Sequence, residues 1–154
     1  MKTDQILKEV SPSFLEAIVL TDQYSGLTAG FTTRNGGFSK FPFTSLNLGL
    51  HVADSDLDVV NNRRKLADDL GFPLSSWVVG EQVHQAVIKK VSKNDASAGS
   101  ESLDGAIKGT DGLYTQDDDI LLTSLYADCV PLYFIAPAHR TIGLAHAGLE
   151  GYSW

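Results

Sequence analysis

Two side chains in this sequence have the chemistry to share a metal ion, Cys129 and His146, and His84 is a third residue of the same kind. A thiolate and a neutral imidazole are donors that zinc takes. Each residue also has a plainer reading. A lone cysteine after an apolar strand serves as a small buried hydrophobe. The histidine of Ala145-His146-Ala147 fits a half-buried polar position, and Gln82-Val83-His84 by itself says little. The separations between the three match no compact zinc-finger spacing.

What could bring two of them together is the stretch from Leu121 to Gly151. Two apolar runs flank Pro137-Ala138-His139-Arg140, which reads as an antiparallel hairpin. If Ala136 pairs with Thr141, His146 lies opposite Pro131 and Cys129 opposite Gly148. Strand side chains alternate with period two, so Cys129 and Pro131 share a face and His146 projects on that same side. Diagonal neighbours lie roughly 7–8 Å apart at Cα, within reach of one ion. A one-residue change in the turn would reverse this parity.

The surrounding elements are unevenly legible. The spacing of Val59, Val60, Arg63, Leu66, Ala67 and Leu70 predicts a helix over 56–70, with Ser55 and Asp58 as a capping-box pair. Gly71 supplies its left-handed stop and Pro73 prevents resumption. Ile18 to Thr33 reads as a strand ending in an Asn35-Gly36 hairpin turn, followed by a loop from Phe38 to Leu50 held down by aromatics. Short β-rich runs follow at 77–79, 83–91, 111–114, 120–126, 132–136 and 141–145. One strong helix ahead of many strands argues for an α+β fold more than a βαβ repeat. Ser92 to Ser102, small and polar, reads as a weak linker or surface loop. Asp117-Asp118-Asp119 lacks the alternating pattern of a calcium loop and reads as a solvated turn.

Bulk properties narrow the function. The length of 154 residues suits a single domain, and a hydrophobic share of 43% with 20% charged residues is that of a soluble globular protein. A net charge of -7 leaves no basic stripe for nucleic acid, though it permits a small phosphate at one or two local groups. The single cysteine excludes an intrachain disulfide. With no signal-peptide pattern and no apolar run near the ~20 residues of a bilayer span, a cytoplasmic address is expected.

Further motifs complete the picture in order along the chain: Thr33-Arg34-Asn35-Gly36-Gly37-Phe38-Ser39, Ser45-Leu46-Asn47-Leu48-Gly49, Asn62-Arg63, Gln82-Val83-His84, Asp111-Gly112-Leu113, Ala127-Asp128-Cys129-Val130-Pro131 and His146-Ala147-Gly148. Together they resemble the YfiH-like family, also called multicopper polyphenol oxidase or laccase-domain proteins, over about residues 25 to 151. The resemblance implies a layered α/β sandwich with mixed or antiparallel sheets, and a single domain over 1–154. It implies a zinc held by His84, Cys129 and His146, and a purine nucleoside phosphorylase that also deaminates adenosine and phosphorolyses methylthioadenosine. Phosphate is then a co-substrate and a small nucleoside the partner, with no nucleic acid or membrane; oligomeric state stays open. Arg34 is the candidate for the phosphate, because its fork grips such anions in bidentate fashion; a solvated arginine is the alternative. Asn47 and Gln82 are candidate substrate contacts. Asp128, beside the ligand cysteine, is a candidate to orient a ligand or shuttle a proton, or else an acidic end to the strand.

Family members are usually longer, so the C-terminal part is expected to be missing here. They also tend to follow His-Ala-Gly with Trp, a basic residue and Gly, where this chain has Leu149-Glu150-Gly151. Competing readings are a hydrolase acting on peptidoglycan precursors, cysteine- or zinc-dependent (in the cysteine form with Cys129 as nucleophile and His146 as base), and an inactive fragment awaiting a partner. Copper oxidation is less expected: one cysteine and four histidines, with His51 and His139 outside any matching motif, are too few for a multicopper cluster.

Overall fold

The computed structural model describes residues 6–148. They form two compact units, one from the stretch up to Leu48 with Asp54–Asp69, the other from Gly49–Ala53 with the stretch from Leu70 on.

In the first unit, β1 (Lys8–Ser11), β2 (Phe14–Glu16) and β3 (Gly30–Thr32) make an antiparallel three-stranded sheet. The apolar run Ile18–Thr21 between them is helical, α1, and not the start of a strand. Three apolar residues and a threonine are too few to separate a period of two from 3.6, so the sequence reading chose wrongly there. Helix α2 (Asp56–Leu70) matches its predicted bounds. The Asp58 amide donates to Ser55 Oγ at 3.3 Å, but the Ser55 amide goes to Asp54 Oδ1 at 2.8 Å, so only half of the capping box forms. Gly71 stops the helix with φ +71°, a left-handed conformation that favours glycine.

Asn35-Gly36 makes no hairpin. Gly36 has φ +86°, yet the Arg34 carbonyl accepts from Ser45 and Leu46 amides, closing a wide loop where a two-residue turn was expected. Of its three aromatics, Phe41 is 92% and Phe38 50% exposed and Phe43 is half-buried, so they give the loop little anchorage. Helix α2 holds it instead. Asn62, fully buried, accepts from the Phe38 amide at 2.6 Å and donates to Ser39 Oγ, the Ser45 carbonyl and the Asn47 carbonyl. Arg63 adds a bond from Nε to the Leu48 carbonyl at 2.8 Å, and its burial pulls its pKa down to about 10. Backbone groups need partners, and here one amide side chain satisfies three of them, besides the Ser39 hydroxyl.

In the second unit, β4 (Trp77–Val79) pairs in parallel with β7 (Leu121–Thr123). A mixed sheet runs in the order β5 (Ile88–Lys90), β6 (Gly112–Thr115), β9 (Thr141–Ala147), β8 (Val130–Ala136). Val78, Val91, Leu113 and Ile120 form the buried cluster against which Ala96, Ala98, Ile107 and Leu122 pack. The Ser92–Ser102 stretch is therefore no linker: Ala98 O accepts from Val79 N at 2.9 Å, and Ser100 is 3% exposed. The predicted strands at 83–91 and 120–126 shorten to β5 and β7 because the residues beside them bond elsewhere, to Asp111 and Gln82. The α+β class with mixed and antiparallel sheets holds. No described helix is long and apolar enough to cross a membrane.

Candidate metal centre

The β8–β9 hairpin turns through Pro137–His139, with Arg140 left-handed at φ +48°. Its register pairs Ala136 with Thr141 and Pro131 with His146, as the sequence parity requires. Cys129 stands one residue before β8 and Gly148 one residue after β9. A Cβ placed on Gly148 would lie 3.6 Å from Cys129 Sγ, 3.3 Å from His84 Cδ2 and 3.8 Å from His146 Cε1, so the glycine forms part of the wall around all three side chains.

His84 arrives from a different direction, on the loop between β4 and β5. Its backbone is left-handed at φ +58°, uncommon for a residue with a Cβ. That bend turns three successive amides toward one carboxylate. Val83 N and His84 N donate to Asp111 Oδ1 at 3.0 and 2.8 Å, and Gln85 N donates to Asp111 Oδ2 at 2.7 Å. Asp111, 4% exposed, sits just ahead of β6, and its own carbonyl accepts from His146 N at 2.7 Å.

The outcome is that donor atoms of His84, Cys129 and His146 all lie within 4.8 Å of one another. The two imidazoles meet edge to face, with centroids 4.9 Å apart and planes at 82°. The Tyr126 ring lies 5.4 Å from that of His146, and its hydroxyl donates to the Ala145 carbonyl at 3.2 Å. Burial pushes the Tyr126 phenol up to about 12, so it is neutral at pH 7. Burial also pushes His146 below the usual imidazole value; His84 adds to this and Asp111 opposes it. A neutral imidazole is the form that ligates metal.

Two further observations test whether these residues fit an ion. His146 Nδ1 is buried without a hydrogen-bond partner, and Asp111 Oδ1 at 3.8 Å is beyond bonding reach. Ligands ~2.0–2.3 Å from a tetrahedral ion are roughly 3.3–3.8 Å apart, so about 1 Å of closing suffices, and exposed His84 has room to move. One sulfur and two nitrogens suit zinc or copper. The set fits a metal. Among the described residues it is also the one group of three or more His, Cys, Asp or Glu with ligand spacing.

The remaining sequence candidates fall as follows. Gln82 belongs to this unit, and both ends of its amide bond the Leu125 main chain: Nε2 donates to the carbonyl at 2.8 Å, and Oε1 accepts from the amide at 2.7 Å. Asp128 is exposed beside Cys129. Arg34 and Asn47 lie in the first unit. Arg34 donates from Nε and Nη2 to the Thr44 carbonyl at 3.1 and 2.9 Å, and Asn47 Nδ2 donates to Asp54 Oδ2 at 2.9 Å. The substitution at Leu149-Glu150-Gly151 lies outside the described residues. Asp111 and Tyr126 received no role from the sequence reading. An aspartate opening a buried strand was the available signal for the first; nothing marked the second.

The fold has counterparts among known proteins. Residues 28–153 match the family described as multi-copper polyphenol oxidoreductase laccase. The purine nucleoside phosphorylase YlmD of Geobacillus stearothermophilus is 55% identical over 128 residues, covering 83% of this chain and 47% of that protein. Its namesake in Bacillus subtilis is 48% identical over 123 residues, covering 80% and 44%. The crystal structure of the Geobacillus stearothermophilus protein superposes with a TM-score of 0.90 at 49% identity, covering 95% of this chain and 53% of that one. That of Bacillus licheniformis hypothetical protein YfiH gives 0.89 at 46%, covering 94% and 53%. The chain thus spans about half the length of these relatives. With its matched region running through both compact units, the chain belongs to the multi-copper polyphenol oxidoreductase laccase family.

Proposed function

We propose that this chain carries the metal-binding part of a zinc-dependent, cytoplasmic purine nucleoside phosphorylase, with adenosine deamination and methylthioadenosine phosphorolysis as further activities. The observation that carries the reading is the convergence of His84, Cys129 and His146 within 4.8 Å, in a chain 55% identical to a protein named for phosphorolysis. Those three residues would hold the ion. Zinc supplies Lewis acidity and lowers the pKa of a bound water to about 7. One sulfur and two imidazoles favour zinc over a multicopper cluster, for which the described residues offer no second ligand group.

The protein's own residues do the rest. Gly148, having no Cβ, lets the main chain lie against the three ligands, and neutral Tyr126 walls one side of His146. Gln82 keeps one N–H and one lone pair for a substrate while it fixes the turn at Leu125. Asp128, exposed beside Cys129, would take or give a proton at the solvent side. Within the first unit, Arg34 is the candidate phosphate group and Asn47 a candidate polar contact, each held there by its own neighbours, the Thr44 carbonyl and Asp54.

The test pairs metal content by mass spectrometry with nucleoside cleavage in the presence and absence of phosphate. About one zinc per chain is expected, with purine base released from inosine only when phosphate is present. Cys129→Ala should abolish both. Unchanged cleavage in that variant removes the metal from the mechanism. Alkylation of Cys129 at equal rates with and without zinc would favour a nucleophilic thiol instead.

A further inference from the structure

We infer that Asp111 is a positioning residue for the metal centre: its buried carboxylate folds the His84 loop into place and its backbone fixes His146, so one residue sets the distance between the two imidazoles. This rests on the metal reading above. The argument starts from the loop. Residues 83–85 are exposed, and His84 holds a left-handed backbone that no side chain of its own requires. Three consecutive amides that converge in this way form a concavity for an anion. Asp111 fills it, with Oδ1 taking two donors and Oδ2 the third. Without the negative charge, the bend has nothing to hold it.

The second contact runs the other way. Asp111 O accepts from His146 N at 2.7 Å, tying the strand that carries His146 to the same residue. Its Oδ1 also lies 3.8 Å from the orphaned His146 Nδ1. A small rotation of the ring would turn this approach into the carboxylate–imidazole contact that orients a metal-bound histidine. Cys129 makes no such contact with Asp111 among the bonds described. Loss of the Asp111 carboxylate should therefore free the His84 loop and leave the His146 main chain and the thiolate where they are.

The experiment uses the full chain stripped of metal, as wild type, Asp111→Asn, Asp111→Glu and, as a control on an exposed acid elsewhere, Asp104→Asn. Zinc affinity is read by competition with a chromogenic chelator. The backbone amides of Val83, His84 and Gln85 are read by NMR in the metal-free protein. Asp111→Asn places an N–H against one of the loop's own donors, and affinity should fall about 10- to 100-fold, the usual cost of losing a partner that orients a ligand. The three amide signals should move while those of β8 and β9 stay. Asp111→Glu keeps the charge and should fall between wild type and Asp111→Asn; Asp104→Asn should match wild type. Wild-type affinity in Asp111→Asn overturns the inference. If wild type takes up no zinc, the metal reading fails, and unmoved 83–85 signals in Asp111→Asn would then overturn the positioning role separately. Should both Asp111 variants fail to fold, hydrogen exchange in wild type decides: slow exchange at these exposed residues supports the role, and fast exchange overturns it.

Discussion

Cys129 and His146 meet at the end of the β8–β9 ladder, where Pro131 faces His146 and Cys129 stands one residue ahead of Val130, the last paired residue of β8. The thiol's position therefore follows from where that ladder ends. Zinc in excess should stabilise the wild-type fold, by about 2.7 kcal/mol at 100-fold over Kd. In Cys129→Ser the zinc-induced rise in melting temperature should largely vanish, with the metal-free melting temperature close to wild type. An equal rise in both proteins would place the ion elsewhere.

Gly148 offers a sharper probe, because its Hα is all that separates the main chain from the three ligands. A methyl at 3.3 Å from His84 Cδ2 obliges that exposed ring to give by a few tenths of an ångström. The fold tolerates this, since no backbone atom stands within 4 Å among the nearest contacts. Gly148 is buried, and Gly148→Ala should thus cost the metal-free fold about 1 kcal/mol or less. Its zinc affinity and its access to substrate should both fall. Unaltered affinity would mean the ligands do not close on that side.

Asn62 carries the first unit's loop. Its four bonds to Phe38, Ser39, Ser45 and Asn47 are made by a side chain with no exposed surface. Truncation strands buried polar groups at about 1–3 kcal/mol each, some of which water can recover. Asn62→Ala should cost about 2–4 kcal/mol in urea unfolding, with increased proteolysis between Gly36 and Leu48. A cost near zero would show that the loop holds itself.

These cases show where the sequence was legible. The β8–β9 register could be read because two apolar runs flank a short turn, and a period of two then fixes every pairing. Helix α2 was legible from its spacing and from Gly71. Asn35-Gly36 misled because a local turn preference yields to a buried side chain 15 or more residues away, Asn62, which no window around the turn contains. The same holds for Asp111: three bonds to backbone amides leave no trace in the identities of Val83, His84 and Gln85. Side-chain-to-backbone bonds of long range were the part that pattern reading could not reach.

Asp69 gives a prediction in pH. It pairs with Lys65 at 2.7 Å and accepts from Ser13 Oγ at 2.8 Å, and these hydrogen bonds, Lys65 first, hold its carboxyl below the usual carboxylate range. A carboxyl depressed in the folded state binds fewer protons there than in the unfolded chain at acid pH. Its contribution is then complete above the unfolded value and is lost as pH falls through the folded one. Wild type should therefore exceed Asp69→Asn in stability by a constant margin from pH 5 to 7, and the margin should shrink below pH 3.8. The ion pair is half-exposed, so added salt should reduce the Lys65 share and leave that of Ser13. Urea unfolding at several pH values checks this; a margin that does not change down to pH 2.5 would mean that Asp69 titrates alike in both states.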